Sequence, residues 1–239
     1  MPMKLVVDTI YQHFTGKAAI LMADCCHSGY ICNLVNDYDK SEVNNYLRVA
    51  AFGSVYYNKS STGNWTFTVA LLAALNGQAY LEFDDDGTVT LKELERHIMY
   101  DMALFDKQYA SSYLPNDMRT WILTCPVKRR KHARIGERIL VDWDGIDYMA
   151  RIEKYRQGEF YIRYFSFASN ERSWISEDEA KPLDIVHYAR GTRLEVLSGD
   201  KWYPCRVLKG FCGLHLIKYD DYAEKYNEWA SKDNLRSRS

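Results

Sequence analysis

The second half of the chain repeats itself, and that repeat limits its fold more than any other feature. Shifting the sequence by 55 residues aligns, without a gap, His132 with His187, Gly136 with Gly191, Arg138 with Arg193 and Val141 with Val196. The same shift pairs Tyr148 with Tyr203, Arg151 with Arg206, Gly158 with Gly213, Ile162 with Ile217 and Tyr164 with Tyr219. It closes on Trp174 with Trp229, Ser176 with Ser231 and Asp178 with Asp233. Self-similarity at a fixed period means tandem copies of one small fold. Each copy holds about five strand-length segments, too few for a sandwich and enough for a small β-barrel. The expected barrels span 135–183 and 187–239.

Before the repeat lies a basic run, Lys128-Arg129-Arg130-Lys131-His132, just after Pro126. Charge runs are usually solvated, and 128–134 reads as a linker. Upstream, residues 1–127 have a different texture. Leu5, Thr9 and Phe14, with Val6 and Ile10 between them, form a helical stripe that Gly16 ends. An apolar run, Ala19 to Ala23, then stops abruptly on Asp24-Cys25-Cys26-His27-Ser28-Gly29. A buried strand ending this way sets a thiol at the carboxyl edge of a sheet, where open α/β sheets bind their ligands.

Further strands are expected over Tyr46–Tyr57, Gly77–Phe83 and Trp121–Thr124. Trp65–Leu75 reads as an apolar helix. Another helix is expected after Thr90, whose hydroxyl with Glu93 forms a capping box. The whole is α/β, a mainly parallel sheet with flanking helices, followed by the two barrels.

Charge and cysteine usage narrow the function classes. The formal net charge of −1 conceals 9 Lys/Arg against 14 Asp/Glu in residues 1–125, and 22 against 18 in 126–239. Neither half has the basic excess of a dedicated nucleic-acid binder, so nucleic acid is not an expected partner. Six cysteines lack paired spacing, which suits reduced thiols and a cytoplasmic, soluble protein. No apolar run is long enough to span a membrane, and no membrane partner is expected.

The hexapeptide Asp24–Gly29 resembles the nucleophile motif of caspase-like cysteine peptidases, the metacaspase type of peptidase family C14 above all. Two later blocks extend the likeness. Gly63–Leu75 is similar to the family's helix after the substrate-binding strand, and Asp85–Leu94 to its turn-to-helix element. The resemblance implies that Cys26 is the nucleophile of a hydrolase. It also implies that Asp24 lines the pocket for the residue before the cut, with a preference for Arg or Lys that a carboxylate would pair well. Protein or peptide substrates follow. His27 belongs to the motif but is not the family's general base. That histidine lies in a segment well upstream of the cysteine, and here only 25 residues precede Cys26. The chain is therefore expected to lack the first strands, the base and one oxyanion donor, and not to cleave peptides alone. Either a missing N-terminal portion completes it in cis or in trans, or it is an inactive relative serving as a platform. A complete, active form would cut its own Lys128–Lys131 linker. Without the resemblance, Cys26 reads as a structural thiol at a strand end.

The acidic turn also has calcium-loop spacing, with Glu82, Asp84, Asp86, Thr88, Thr90 and Glu93 as ligands and Gly87 at the sharp turn. Glu82 is long for the first position, and a polar turn leading into a capped helix is the plainer reading. No cofactor is expected, and a metal site is left open.

The barrels resemble Tudor-like and chromo-barrel domains through Trp202–Val207 and Tyr226–Ala230. Those families read methylated lysine or arginine with an aromatic cage, because a cation is drawn to ring faces. By resemblance, the candidate cage in the second barrel is Tyr203, Tyr219, Tyr222 and Tyr226. In the first it is Trp143, Tyr148, Tyr164 and Phe167, with Glu171 where a further ring is expected. A methyl-lysine or methyl-arginine peptide is the candidate ligand. Trp174 and Trp229 are expected to fill the barrel cores. The plainer alternative makes all these rings core and rim, serving protein interaction.

Overall fold

The computed structural model describes residues 2–41, 46–81, 83–84, 86–127, 130–165 and 171–238. Among the described residues, the first half forms four helices and five short strands. Helix α1 (Met3–His13) buries Val7 and Tyr11, which lie one helical turn apart. Strand β1 (Ala18–Ala23) follows, then α2 (Gly29–Lys40), which buries Ile31, Cys32, Leu34 and Val35. Strand β2 (Arg48–Gly53) pairs in parallel with β1 from Ala18↔Arg48 to Ala23↔Gly53. Five of its six residues are buried.

Helix α3 (Thr66–Leu75), β3 (Val89–Thr90), α4 (Leu91–Phe105), β4 (Ser111–Tyr113) and β5 (Ile122–Thr124) complete this half. β4 joins β2 antiparallel, so the sheet order is β1-β2-β4, and β5 pairs with β3 instead. A parallel αβ unit is present; a larger parallel sheet is not seen among the described residues.

Three expectations change here. β1 is half-exposed rather than buried, because it is the edge of its sheet and Ile20 faces outward. The strand expected over Tyr46–Tyr57 stops at Gly53, where the backbone crosses the start of α2. A Cβ on Gly53 would lie 2.6 Å from the Ser28 carbonyl carbon. The strand expected at Gly77–Phe83 is a turn over residues 77–81 instead, closed by Gln78 N–H to Ala73 O and Leu81 N–H to Gln78 O.

The second half confirms the repeat strand by strand. The first barrel comprises β6 (Arg138–Trp143), β7 (Ile146–Arg156), β8 (Glu159–Tyr164), β9 (Arg172–Ser176) and β10 (Lys181–Pro182). The second comprises β11 (Arg193–Ser198), β12 (Lys201–Phe211), β13 (Leu214–Tyr219), β14 (Glu228–Ser231) and β15 (Leu235–Ser237). In each, four antiparallel strands run in chain order, and after a 3₁₀ turn the fifth returns to pair with the first. The long second strand carries a bulge at the same place, Ile152/Lys154 and Val207/Lys209, where a sheet this small must bend to curl on itself.

Strand alternation corrects the assignment of Trp174 and Trp229. Ile175 and Ala230 take the buried inward positions, so both tryptophans face outward. Trp174 packs at a tilt against Tyr161, with the Arg156 guanidinium over its ring at 3.9 Å.

Packing does not follow chain order. One compact unit contains Met1–Gly63, Met99–Pro115 and Ile185–Ser239, and the other contains Asn64–Ile98 and Asn116–Asp184. In the first, Trp229 stacks on Tyr109 with ring centroids 3.9 Å apart, beside Ala103 and Leu214. In the second, the buried Arg151 lies 4.2 Å over the Tyr80 ring and meets His97 Nε2 at 3.3 Å and Glu153 at 3.2 Å.

Candidate functional site

The second barrel brings its four predicted tyrosines together. Tyr203 stands on β12 and Tyr219 ends β13. Tyr222 follows in the loop, and Tyr226 closes the 3₁₀ turn Glu224–Tyr226. Alternation puts Tyr203 and Tyr219 on the inward face, packed with the second barrel's core. Their rings are 6.0 Å apart, and Tyr222 lies 6.1 Å from Tyr203 and 5.6 Å from Tyr219. Tyr226 stands 6.0 Å from Tyr222. All four contacts are edge-to-face, an arrangement favoured by ring quadrupoles that leaves ring faces free to line a space. Tyr219 is buried at the floor, whereas Tyr222 and Tyr226 are exposed at the rim.

The rings line a cavity of about 320 Å³ shared with Asn58, Lys59, Ser198 and Glu228. Tyr219 Oη donates to one oxygen of Glu228, and Lys59 Nζ donates to the other. Burial raises the Tyr219 phenol above its ordinary value, which keeps it a donor. A carboxylate and four aromatic rings around one cavity suit an organic cation carrying N–H groups. Asn58 and Lys59 were not found by sequence reasoning, because they stand far upstream of the barrel. Glu228 lies inside the motif Tyr226–Ala230, whose functional reading rests on Tyr226 and Trp229.

The segment that supplies Lys59 is pinned at both ends. Tyr57 Oη donates to Lys225 O and Asn58 Nδ2 to Asn227 O, each at 3.5 Å. On the other side, His27 N–H donates to Lys59 O at 2.9 Å, and His27 Nδ1 lies 3.3 Å from Tyr57 O.

The first barrel assembles less. Trp143 lies 6.2 Å from Tyr148 and 6.1 Å from Tyr164, while Phe167 lies outside the described residues. Ser173 occupies the repeat position of Glu228, and its hydroxyl meets Tyr164 Oη at 3.4 Å. Glu171, at the position of Tyr226, is exposed.

Asp24, Cys25 and Cys26 sit where β1 ends, and both thiols are exposed. Burial pushes the Cys25 thiol up, and the neighbouring Cys26 and Asp24 add to it. His27 has a left-handed backbone (φ 60°), and its ring is turned to the Tyr57 carbonyl. Ser28 is buried, with its hydroxyl 3.2 Å from Ser54 Oγ and accepting Val55 N–H.

In the acidic turn, Glu82 and Asp85 lie outside the described residues. Glu93 accepts from Phe83 N–H at 2.9 Å, Thr90 N–H at 2.8 Å and Thr90 Oγ1 at 2.9 Å. Its carboxylate therefore serves the capping box. Among the described residues, no group of three or more His, Cys, Asp or Glu is placed to hold a metal ion. Nor is any described helix long and apolar enough to cross a membrane.

No protein-family profile matches the chain, and no curated protein matches it. Among solved structures, ADCP1 tandem Agenet domain 3-4 is similar at 14% identity over 42% of this chain and 77% of that one, with a TM-score of 0.21. Arabidopsis thaliana AGDP1 AGD34 gives 13%, 42%, 77% and 0.20. The four MBT repeats of Drosophila melanogaster Sfmbt, in complex with the peptide RHR(me)KVLR, give 12%, 41%, 34% and 0.18. At these scores the likenesses carry no argument, and the two small barrels rest on their own strand pairing.

Proposed function

We propose that the chain is a reader of methylated cationic side chains in peptides, with the second barrel as its binding module and the α/β half as a non-catalytic platform. The observation that carries this reading is the meeting of Tyr203, Tyr219, Tyr222 and Tyr226 around one cavity that also holds the Glu228 carboxylate. Ring faces attract a methylated ammonium or guanidinium group, and a carboxylate neutralises its charge. The first barrel, with serine in place of that carboxylate, is assigned to general protein interaction.

A methyl-lysine and methyl-arginine peptide array probed with the full chain and with Tyr219→Ala tests the reading. The array should retain the wild-type chain on methylated spots and lose it in the variant. Equal binding by both would reject the assigned site.

A second reading keeps the thiol. Asp24 and Cys26 lie together at the carboxyl end of a strand in a parallel pair, where a nucleophile and a pocket acid would be needed. In this reading Cys26 attacks the carbonyl after Arg or Lys once a histidine is supplied from elsewhere. Cleavage of Arg- and Lys-containing peptides by such a completed form, abolished by Cys26→Ala, would support it. Cleavage unchanged by that substitution would reject it.

A further inference from the structure

The cage already holds a cation of its own. Lys59 reaches the cavity from the segment after β2, and its ammonium donates to Glu228 Oε2. Glu228 Oε1 is meanwhile held by Tyr219 Oη, so both oxygens are engaged. An incoming ammonium that needs this carboxylate finds it neutralised.

We propose that Lys59 is a built-in competitor of the cage: a methylated ammonium guest binds by displacing the Lys59 side chain from Glu228. This rests on the reader function above and adds its control.

Three features of the site make the exchange feasible. The Lys59 backbone is held on both sides, its carbonyl accepting His27 N–H at 2.9 Å and its N–H donating to Tyr56 O at 3.0 Å, so only the side chain has to move. A lysine stem reorients readily, and its ammonium is a point charge without the bidentate geometry that would lock it in place. Glu228 keeps the Tyr219 hydroxyl throughout, so the carboxylate stays aimed at the cavity when Lys59 leaves. The first barrel lacks the carboxylate of this pair, since Ser173 stands at the position of Glu228.

The test titrates N-acetyl-Nε-dimethyl-lysine amide into the full chain and into Lys59→Met, Lys59→Arg, Glu228→Gln, Lys59→Met/Glu228→Gln and Tyr222→Ala. An ion pair with one partly exposed member is worth up to about 1 kcal/mol, so Lys59→Met should tighten the dissociation constant about fivefold. Lys59→Arg, which keeps the charge and adds a fork of N–H donors, should bind the guest no more tightly than the wild type. In the Glu228→Gln background, Lys59→Met should bring no gain. Unchanged or weaker binding by Lys59→Met, with binding still lost in Tyr222→Ala, overturns the competitor and leaves the cage standing. Binding that survives Tyr222→Ala in full rejects the cage, and the competitor with it.

Discussion

Gly136 and Gly191 hold the same place in the two repeats, and both turn the chain at positive φ, 93° and 88°. Their surroundings differ. A Cβ on Gly136 would lie 2.8 Å from the Tyr80 carbonyl oxygen, whereas one on Gly191 would meet nothing within 4 Å. Gly191→Ala should therefore cost about 1 kcal/mol of backbone strain. Gly136→Ala should cost clearly more, since a backbone carbonyl cannot step aside. Urea denaturation of both variants checks this, and equal losses would contradict it. His215 makes a pH prediction. It is fully buried, its Nε2 accepts Tyr188 N–H at 2.9 Å, and burial with nearby His187 lowers its pKa. A base held below its unfolded value near 6.5 binds fewer protons when folded, so stability must fall as pH drops below that value. The urea midpoint should decline from pH 7.5 to 5.5 in the wild type and less steeply in His215→Gln. Parallel slopes would exclude this histidine as the cause. At this scale, the family resemblance already grouped the four tyrosines that line one cavity of the second barrel. It could not show that Arg151 is buried while its repeat partner Arg206 is exposed, because that difference comes from Tyr80 and His97, far away in the chain.

Elements were legible wherever their pattern was local. Helix α1, helix α3 and the Thr90–Glu93 box follow from apolar spacing and capping chemistry that a short window contains. Strand limits were not, because a neighbour sets them: β2 ends where Gly53 meets the backbone at Ser28 and Gly29, and residues 77–81 turn back on the end of α3 through Gln78 N–H to Ala73 O. Helix α2 had no expectation at all. Its sequence GYICNLVNDYDK mixes apolar and polar residues, and only its packing with residues of α1 and β2 reveals the buried face. The capping box yields a prediction for the acidic turn. With Glu93 occupied by Thr90 and Phe83, adding calcium or EDTA should leave the melting temperature unchanged, while Thr90→Ala should cost about 1 kcal/mol through loss of the cap. A rise in melting temperature on adding calcium would reinstate the metal loop.

Across the whole molecule, the chain's linear order misleads. The sequence suggests a peptidase-like half joined by a basic linker to two separable barrels, yet each compact unit combines one barrel with segments from residues 1–127. Trp229 on Tyr109 in one unit, and Arg151 on Tyr80 in the other, join residues on opposite sides of Lys128–Lys131. Cutting that stretch should not free the barrels. Trypsin-nicked chain should elute as one species in native gel filtration and separate only in denaturant; separation under native conditions would contradict the interleaved units. The same interleaving puts Lys59 in the second barrel's cavity, and binding should be measured on the full chain for that reason. The most direct test of the reader account is ¹³C-tyrosine NMR of the full chain titrated with a dimethyl-lysine peptide. The account predicts that the ring signals of Tyr203, Tyr219, Tyr222 and Tyr226 shift together along one saturating curve, while Tyr148 and Tyr161 stay fixed. Cage signals that remain still while the peptide binds, or shifts confined to the first barrel, would contradict it.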